Sequence, residues 1–170
     1  ITDYSRRLDF RQGLLTRDMI WRTSAGLGVR IRSLRLVSLA RRHNAAIRYE
    51  VTPLDGPATV EIESLVRAIM PSQVLPGEHT VLHGYDMDGD VHRLSVTTRT
   101  APFHMGMGFA HTTRGALGES DRHFDEGTRV LRHRFRFQTT AGEPVAVEKQ
   151  GCFHVGHKDK MPDAEPVDRA

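Results

Sequence analysis

The chain has 170 residues, with 24 lysines and arginines against 21 aspartates and glutamates, and 38% hydrophobic residues. That is enough sequence for one globular domain, burying about 70% of the surface its unfolded chain exposes. A formal charge of +3 spread along the chain excludes the clustered basic face of a nucleic-acid binder.

The one cysteine, Cys152, rules out an internal disulfide, and a lone strand cysteine is expected to be a small buried apolar residue. No apolar run approaches the roughly 18 residues of a membrane helix. The opening ITDYSRRLDF has no apolar signal-peptide core. The expectation is a cytoplasmic protein with neither nucleic-acid nor membrane partners. Because the first residue is Ile1, the chain is expected to start inside a domain.

The dominant period is two. In GLLTRDMIW, Leu15, Met19 and Trp21 alternate with Leu14, Thr16, Asp18 and Ile20, the pattern of a strand, and Trp21 is expected to be buried. Ser24 to Gly28 forms a hairpin turn. After it, Val29, Ile31 and Val37 share one face, with Arg30 and Arg32 on the other. AAIRYEVTPL repeats the alternation and ends at Pro53, which cannot donate to a ladder. A turn at Asp55-Gly56-Pro57 leads to the strand ATVEIESLV.

YDMDGDVHRLSVTTRT reads as a hairpin with Asp88-Gly89 at its tip. In the next strand, FHMGMGFAHTT, Gly106 and Gly108 on one face are expected to mark a close backbone approach or a bulge. Gly115 to Gly127 reads as a surface loop. Beyond it, Leu131, His133, Phe135 and Phe137 face inward and Arg132, Arg134 and Arg136 outward. The turn TAGEP leads to Val145, Val147 and Lys149 on one face of the last strand. The proline-bearing segment 161–170 reads as a linker or frayed tail. The sum is an all-β antiparallel chain of nine or ten strands, without an amphipathic helix or a repeat.

Ten histidines invite a metal reading. His154 and His157 are three apart, and on a strand that spacing sends the rings to opposite faces. Scattered surface or hydrogen-bonded histidines are the favoured reading. Asp86 to Asp90 looks like half a calcium loop, but Val91 and Thr97 stand where that loop needs glycine and glutamate. The Met105–Gly108 run reads as core filler, and the arginine row as a solvated face rather than a phosphate site. Glu148 and Lys149 are adjacent and point apart, so they cannot serve one substrate atom. There is no GxSxG and no glycine-rich phosphate loop.

Three segments carry a resemblance: SRRLDFRQGLLTRDMIW, VRIRSLRLVSLARRHNAAIRYEVTPLDGPATVEIES and AGEPVAVEKQGCFHVGHKD. In order and spacing they resemble the N-terminal domain of glycoside hydrolase family 65, which holds maltose, trehalose and kojibiose phosphorylases and hydrolases. Residues 35 to 53 are the most specific part and 70 to 129 match weakly. The resemblance implies an antiparallel β-supersandwich like that of the galactose-mutarotase superfamily. It occupies residues 1–160 here as a partial domain whose first strands are missing. It precedes an (α/α)6 catalytic barrel absent from this chain, where a glutamate acts as general acid and attack comes, with inversion, from phosphate or from activated water.

By this resemblance the parent is an inverting glycosyl hydrolase or phosphorylase of α-linked glucose disaccharides (trehalose, maltose, kojibiose). The segment itself is non-catalytic. No catalytic, cofactor-binding or metal residue is assigned to it, and no cofactor beyond phosphate as a possible co-substrate. Its expected partners are the barrel, the parent's disaccharide and a second copy in a homodimer. Ser38 to Asn44 would be a structural turn, or else a contact with the barrel or a dimer partner.

The rival reading is a free-standing carbohydrate-binding β-sandwich, against which the 6% aromatic content weighs. An epimerase-like site would require His104 and Glu148 to face one cleft.

Overall fold

The computed structural model describes residues 1–68, 79–99 and 101–157. The expected linker at 161–170 lies outside them. The described residues form eleven strands and no helix. They are β1 (Asp3–Asp9), β2 (Leu14–Arg22), β3 (Gly28–Val37), β4 (Asn44–Pro53), β5 (Ala58–Arg67), β6 (Thr80–Asp88), β7 (Val91–Thr98), β8 (Phe103–Arg114), β9 (Leu117–Asp125), β10 (Val130–Thr139) and β11 (Val145–His157).

Eight strands build one antiparallel sheet in the order β1-β2-β3-β4-β11-β8-β7-β6, and three build a second, β5-β10-β9. The first four strands pair in chain order. Pro53 then ends β4, and the Asp55-Gly56-Pro57 turn carries the chain into the other layer rather than back along the same sheet. Asp55 locks this crossing. Its carboxylate accepts the Gly28 N–H at 2.7 Å and a guanidinium N–H of Arg22 at 3.2 Å, tying the β4–β5 turn to the β2–β3 turn.

The period-two reading of β10 holds. Leu131, His133, Phe135 and Phe137 are at most 2% exposed. Burying an aromatic or aliphatic side chain this fully contributes about 1.5–3 kcal/mol. On the outer face, Arg132, Arg134 and Arg136 interleave with Glu61, Glu63 and Glu119 of β5 and β9 at 3.2–3.5 Å, the solvated row expected. Two apolar clusters fill the space between the sheets. One gathers Val29, Ile31, Val51, Phe135, Phe137 and Val145. The other gathers Val66, Leu94, Val96, Phe109, Phe124 and Leu131. Consecutive Val145, Ala146 and Val147 are all buried, as expected of a strand in the middle of a layered domain.

Several expectations are corrected. The segment 115–127 is not a loop: Leu117–Asp125 is strand β9, paired with β10. It lacks the alternation because, as an edge strand, it buries Phe124 alone. Its backbone ladder, not its side chains, makes it a strand. Gly106 and Gly108 are not crowded, since a Cβ at either would meet nothing within 4 Å. The close approaches occur at Gly28, Gly115 and Gly151. The β6–β7 hairpin is as read, shifted by one residue: Asp88 pairs with Val91, and Gly89, at φ +52°, begins the turn. Cys152 is exposed, and Trp21 is 45% exposed. Trp21 shares the face of Met19, which packs against the core, at a place the smaller sheet leaves open, whereas Cys152 alternates with buried Gly151 and faces outward.

Candidate functional site

Strand direction gathers one group of exposed apolar side chains. The β1–β2 and β3–β4 turns lie at the same end of the large sheet as the end of β11 and the start of β8, where His157 pairs with Phe103. Phe10, Val37, Leu39, Phe103 and Val155 all fall at that end, between 45% and 91% exposed. The β3–β4 turn that presents Leu39 is held by its own backbone. The Arg41 N–H donates to Ser38 Oγ at 2.9 Å, the Ser38 N–H donates to the Asn44 carbonyl at 2.9 Å, and the Phe153 N–H donates to the His43 carbonyl at 2.8 Å. Ser38 and Asn44 thus stabilise the turn as read, with the asparagine acting through its main chain. Exposed apolar side chains gathered along one end of a sheet are the kind of surface that marks an interaction site.

A second feature is an aromatic pair. Tyr4 pairs with Met19 across β1–β2, which places it diagonal to Trp21 on one face. Both rings are about half exposed.

A third is a groove of about 390 Å³ between β4, β5 and β11, lined among others by Ile47, Tyr49, Glu63, Leu65 and Lys149. Lys149 donates to the Leu65 carbonyl at 2.9 Å and sits 4.7 Å over the Phe109 ring. Burial lowers its amine to about 8.

The fourth feature is buried. His92 on β7, His111 on β8 and His133 on β10 converge between the two sheets, at the divide between the two apolar clusters, and one nitrogen of each ring lies within 4.8 Å of the others. Exposure is 5% or less for all three. His92 Nε2 faces His133 Nδ1 at 3.0 Å. His111 Nε2 meets Ser64 Oγ at 2.8 Å, and His133 Nε2 meets Ser120 Oγ at 3.1 Å. His111 Nδ1 and His92 Nδ1 are buried with no hydrogen-bond partner. Burial pushes the imidazoles down, His111 to about 3 and His133 to about 4, with His92 also lowered. All three are neutral near pH 7.

The expectation of scattered histidines holds for the rest. His154 stacks on His43 at 4.7 Å, while His157 meets Phe103 edge-on. The members of the buried cluster lie far apart in sequence, which hides it from spacing alone. The available signal was that each holds an inward position on a strand, as the alternation shows for His133.

Other readings find their places. Asp86 pairs with Arg93 at 2.6 Å across the hairpin. Met105 and Met107 pack against the core. Glu148 pairs with Arg48 at 3.3 Å on the outer face, and Lys149 points inward. His104 and Glu148 do not share a cleft. Glu148 lies opposite Thr112, eight residues along β8 from His104, or about 27 Å at strand rise.

Two antiparallel layers around a shared core, one much wider than the other, define a β-sandwich domain. The chain belongs to glycosyl hydrolase family 65 as its N-terminal domain, whose family model matches residues 1–170. It is 42% identical over 65 residues to a kojibiose phosphorylase of Escherichia coli, covering 38% of this chain and 9% of that protein. It is 44% identical over 64 residues to an uncharacterised glycosyl hydrolase of Mycobacterium tuberculosis, covering 38% of this chain and 8% of that one. A solved structure described as a kojibiose phosphorylase from the human microbiome superposes with a TM-score of 0.79 at 16% identity, over 94% of this chain and 20% of that one. That likeness shows the fold. The matched segments thus span about a tenth of these curated relatives.

Proposed function

We propose that this chain is the non-catalytic β-domain of an enzyme acting on α-linked glucose disaccharides, by phosphorolysis or hydrolysis with inversion, and that its role is to dock onto and support the catalytic region. The observation that carries this is the set of exposed apolar side chains, Phe10, Val37, Leu39, Phe103 and Val155, at one end of the large sheet. The family membership and the small share of the relatives' length supply the occupant: a larger catalytic segment of the same protein.

Six of the carboxylates support the same reading. Asp18, Asp55, Glu61, Glu63, Glu119 and Glu148 are engaged with arginines, which ties up groups that acid–base chemistry would need free. Phosphate, if it is a co-substrate, would bind in the catalytic region.

The test is direct. The purified chain is incubated with kojibiose, trehalose or maltose, with and without phosphate, and glucose and glucose 1-phosphate are measured. No turnover is expected, and turnover by the chain alone overturns the reading. The DNA downstream of the reading frame should continue into a helical segment bearing a glutamate general acid. An immediate stop codon overturns the docking role.

The exposed Tyr4–Trp21 pair favours a second reading, a sugar-stacking surface. Trp21→Ala that abolishes binding of these sugars while leaving the circular dichroism intact would establish it. Unchanged binding removes it.

A further inference from the structure

We propose that His92, His111 and His133 form a divalent transition-metal site, of the zinc class, that staples the two sheets together. The ligand atoms are His92 Nε2, His111 Nδ1 and His133 Nδ1. For two of the three this follows from what the other nitrogen does: Ser64 Oγ holds His111 Nε2, and Ser120 Oγ holds His133 Nε2; His92 contributes the Nε2 that already faces His133 Nδ1 and keeps its Nδ1 without a partner. A metal-bound histidine characteristically has its second nitrogen held in this way.

The orphan His111 Nδ1 is the second, independent observation. It is a buried polar atom with no well-formed hydrogen bond, only a weak main-chain interaction of the ring with Asp90, and leaving such a group poorly paired is costly. A metal ion gives it a partner. Three imidazole nitrogens suit zinc, cobalt, nickel or copper rather than calcium or magnesium, which take oxygen.

The geometry is close to that required. Tetrahedral zinc with bonds of 2.0–2.1 Å separates its ligands by about 3.3 Å. His92 Nε2 and His133 Nδ1 are 3.0 Å apart. One nitrogen of each ring lies within 4.8 Å of the others, so the His111 ring closes by roughly 1.5 Å, with a turn about its side-chain bonds, to bring a nitrogen to the tetrahedral spacing. That is within the reach of a side-chain rotation. The fourth position is left for a water molecule.

The charges near the site divide. Lys149 and Arg122 oppose a cation, and Asp90 and Asp121 favour it. The ligands come from β7 and β8 of the large sheet and β10 of the small one. A bound ion therefore cross-links the layers at the point where the core changes from one apolar cluster to the other. This inference stands apart from the docking reading and survives its failure.

The experiment uses the full chain purified without a histidine tag. Metal content is measured by mass spectrometry after dialysis. The chelator-stripped protein is then titrated with zinc against a competing chromophoric chelator, and with cobalt by visible absorption. A single tightly held zinc, intense tetrahedral cobalt bands and a zinc-dependent rise in unfolding temperature are expected. His111→Gln should lose all three.

His154→Gln, which removes one ring of the exposed His43 stack, should lose none. Ser64→Ala, which leaves every ligand in place, should weaken zinc by about 10–100-fold and keeps the proposal testable if His111→Gln does not fold. The proposal is overturned if the wild-type protein holds no zinc against the competitor and shows no cobalt bands. It is equally overturned if His111→Gln, folded, binds zinc as the wild type does; either result leaves a hydrogen-bonded histidine cluster with water at His111.

Discussion

Gly115 and Gly142 offer a matched pair of substitutions. Both have positive φ, +105° and +81°, where an L side chain is strained. They differ in their surroundings. A Cβ at Gly142 would meet nothing within 4 Å, whereas one at Gly115 would lie 2.8 Å from Val145 Cγ1, 3.3 Å from its Cβ and 3.4 Å from its Cα. Val145 is 1% exposed, so it cannot swing aside into solvent.

Gly142→Ala should cost only the backbone penalty of left-handed geometry, about 1–2 kcal/mol. Gly115→Ala carries that penalty plus an overpacking cost of about 1–3 kcal/mol, for a total of about 2–5. Loss of glycine's unfolded-state entropy favours both alanines similarly and cancels in the difference. Domains are stable by about 5–15 kcal/mol, so the larger figure would be a large fraction of the whole. Urea unfolding followed by circular dichroism, with the slope unchanged, gives the difference directly. If the two variants agree within about 0.5 kcal/mol, the Val145 contact yields without cost, and close approach does not explain the glycine at 115.

Two further outcomes follow from specific contacts. Asp55→Ala removes the acceptor of the Gly28 N–H and the partner of Arg22. Being half exposed, the interaction should be worth about 1–2 kcal/mol. Asp55→Asn keeps a neutral acceptor and should lose less than half of that. Faster hydrogen exchange at the Gly28 amide in Asp55→Ala checks the location, and unchanged exchange contradicts it. Acid should destabilise the metal-free protein in chelator. His133 is lowered to about 4 and His111 to about 3 by burial, while unfolded imidazoles titrate near their ordinary value of about 6.5. With the folded values depressed, the unfolded state takes up protons first. The stability is fully present above about pH 6.5 and is lost as pH falls toward 4. Each tenfold difference in proton affinity between the folded and unfolded imidazole is worth about 1.4 kcal/mol, and because the rings titrate as one interacting group their loss is read together, on the order of a few kcal/mol. Urea midpoints at pH 7.5, 6 and 4.5 measure it, and midpoints that do not move refute the burial of neutral rings.

The sequence by itself determined the strands whose side chains alternate between core and water. β10 is legible because Leu131, Phe135 and Phe137 alternate with three arginines, and β4 because Pro53 must end its ladder. The β6–β7 hairpin follows from Asp88-Gly89, and the family from three segments in their order and spacing. What the sequence could not determine is which part of each strand the other sheet covers. Three strands cover only part of eight, so Trp21 keeps the pattern of a buried residue while standing half exposed.

β9 was hidden for the converse reason: an edge strand with a single buried residue is held by backbone pairing, which leaves no mark on side-chain order. The histidine cluster was hidden because a period reports the face and not the neighbour. Only the packing of β7 and β8 against β10 brings residues 92, 111 and 133 within reach of one another.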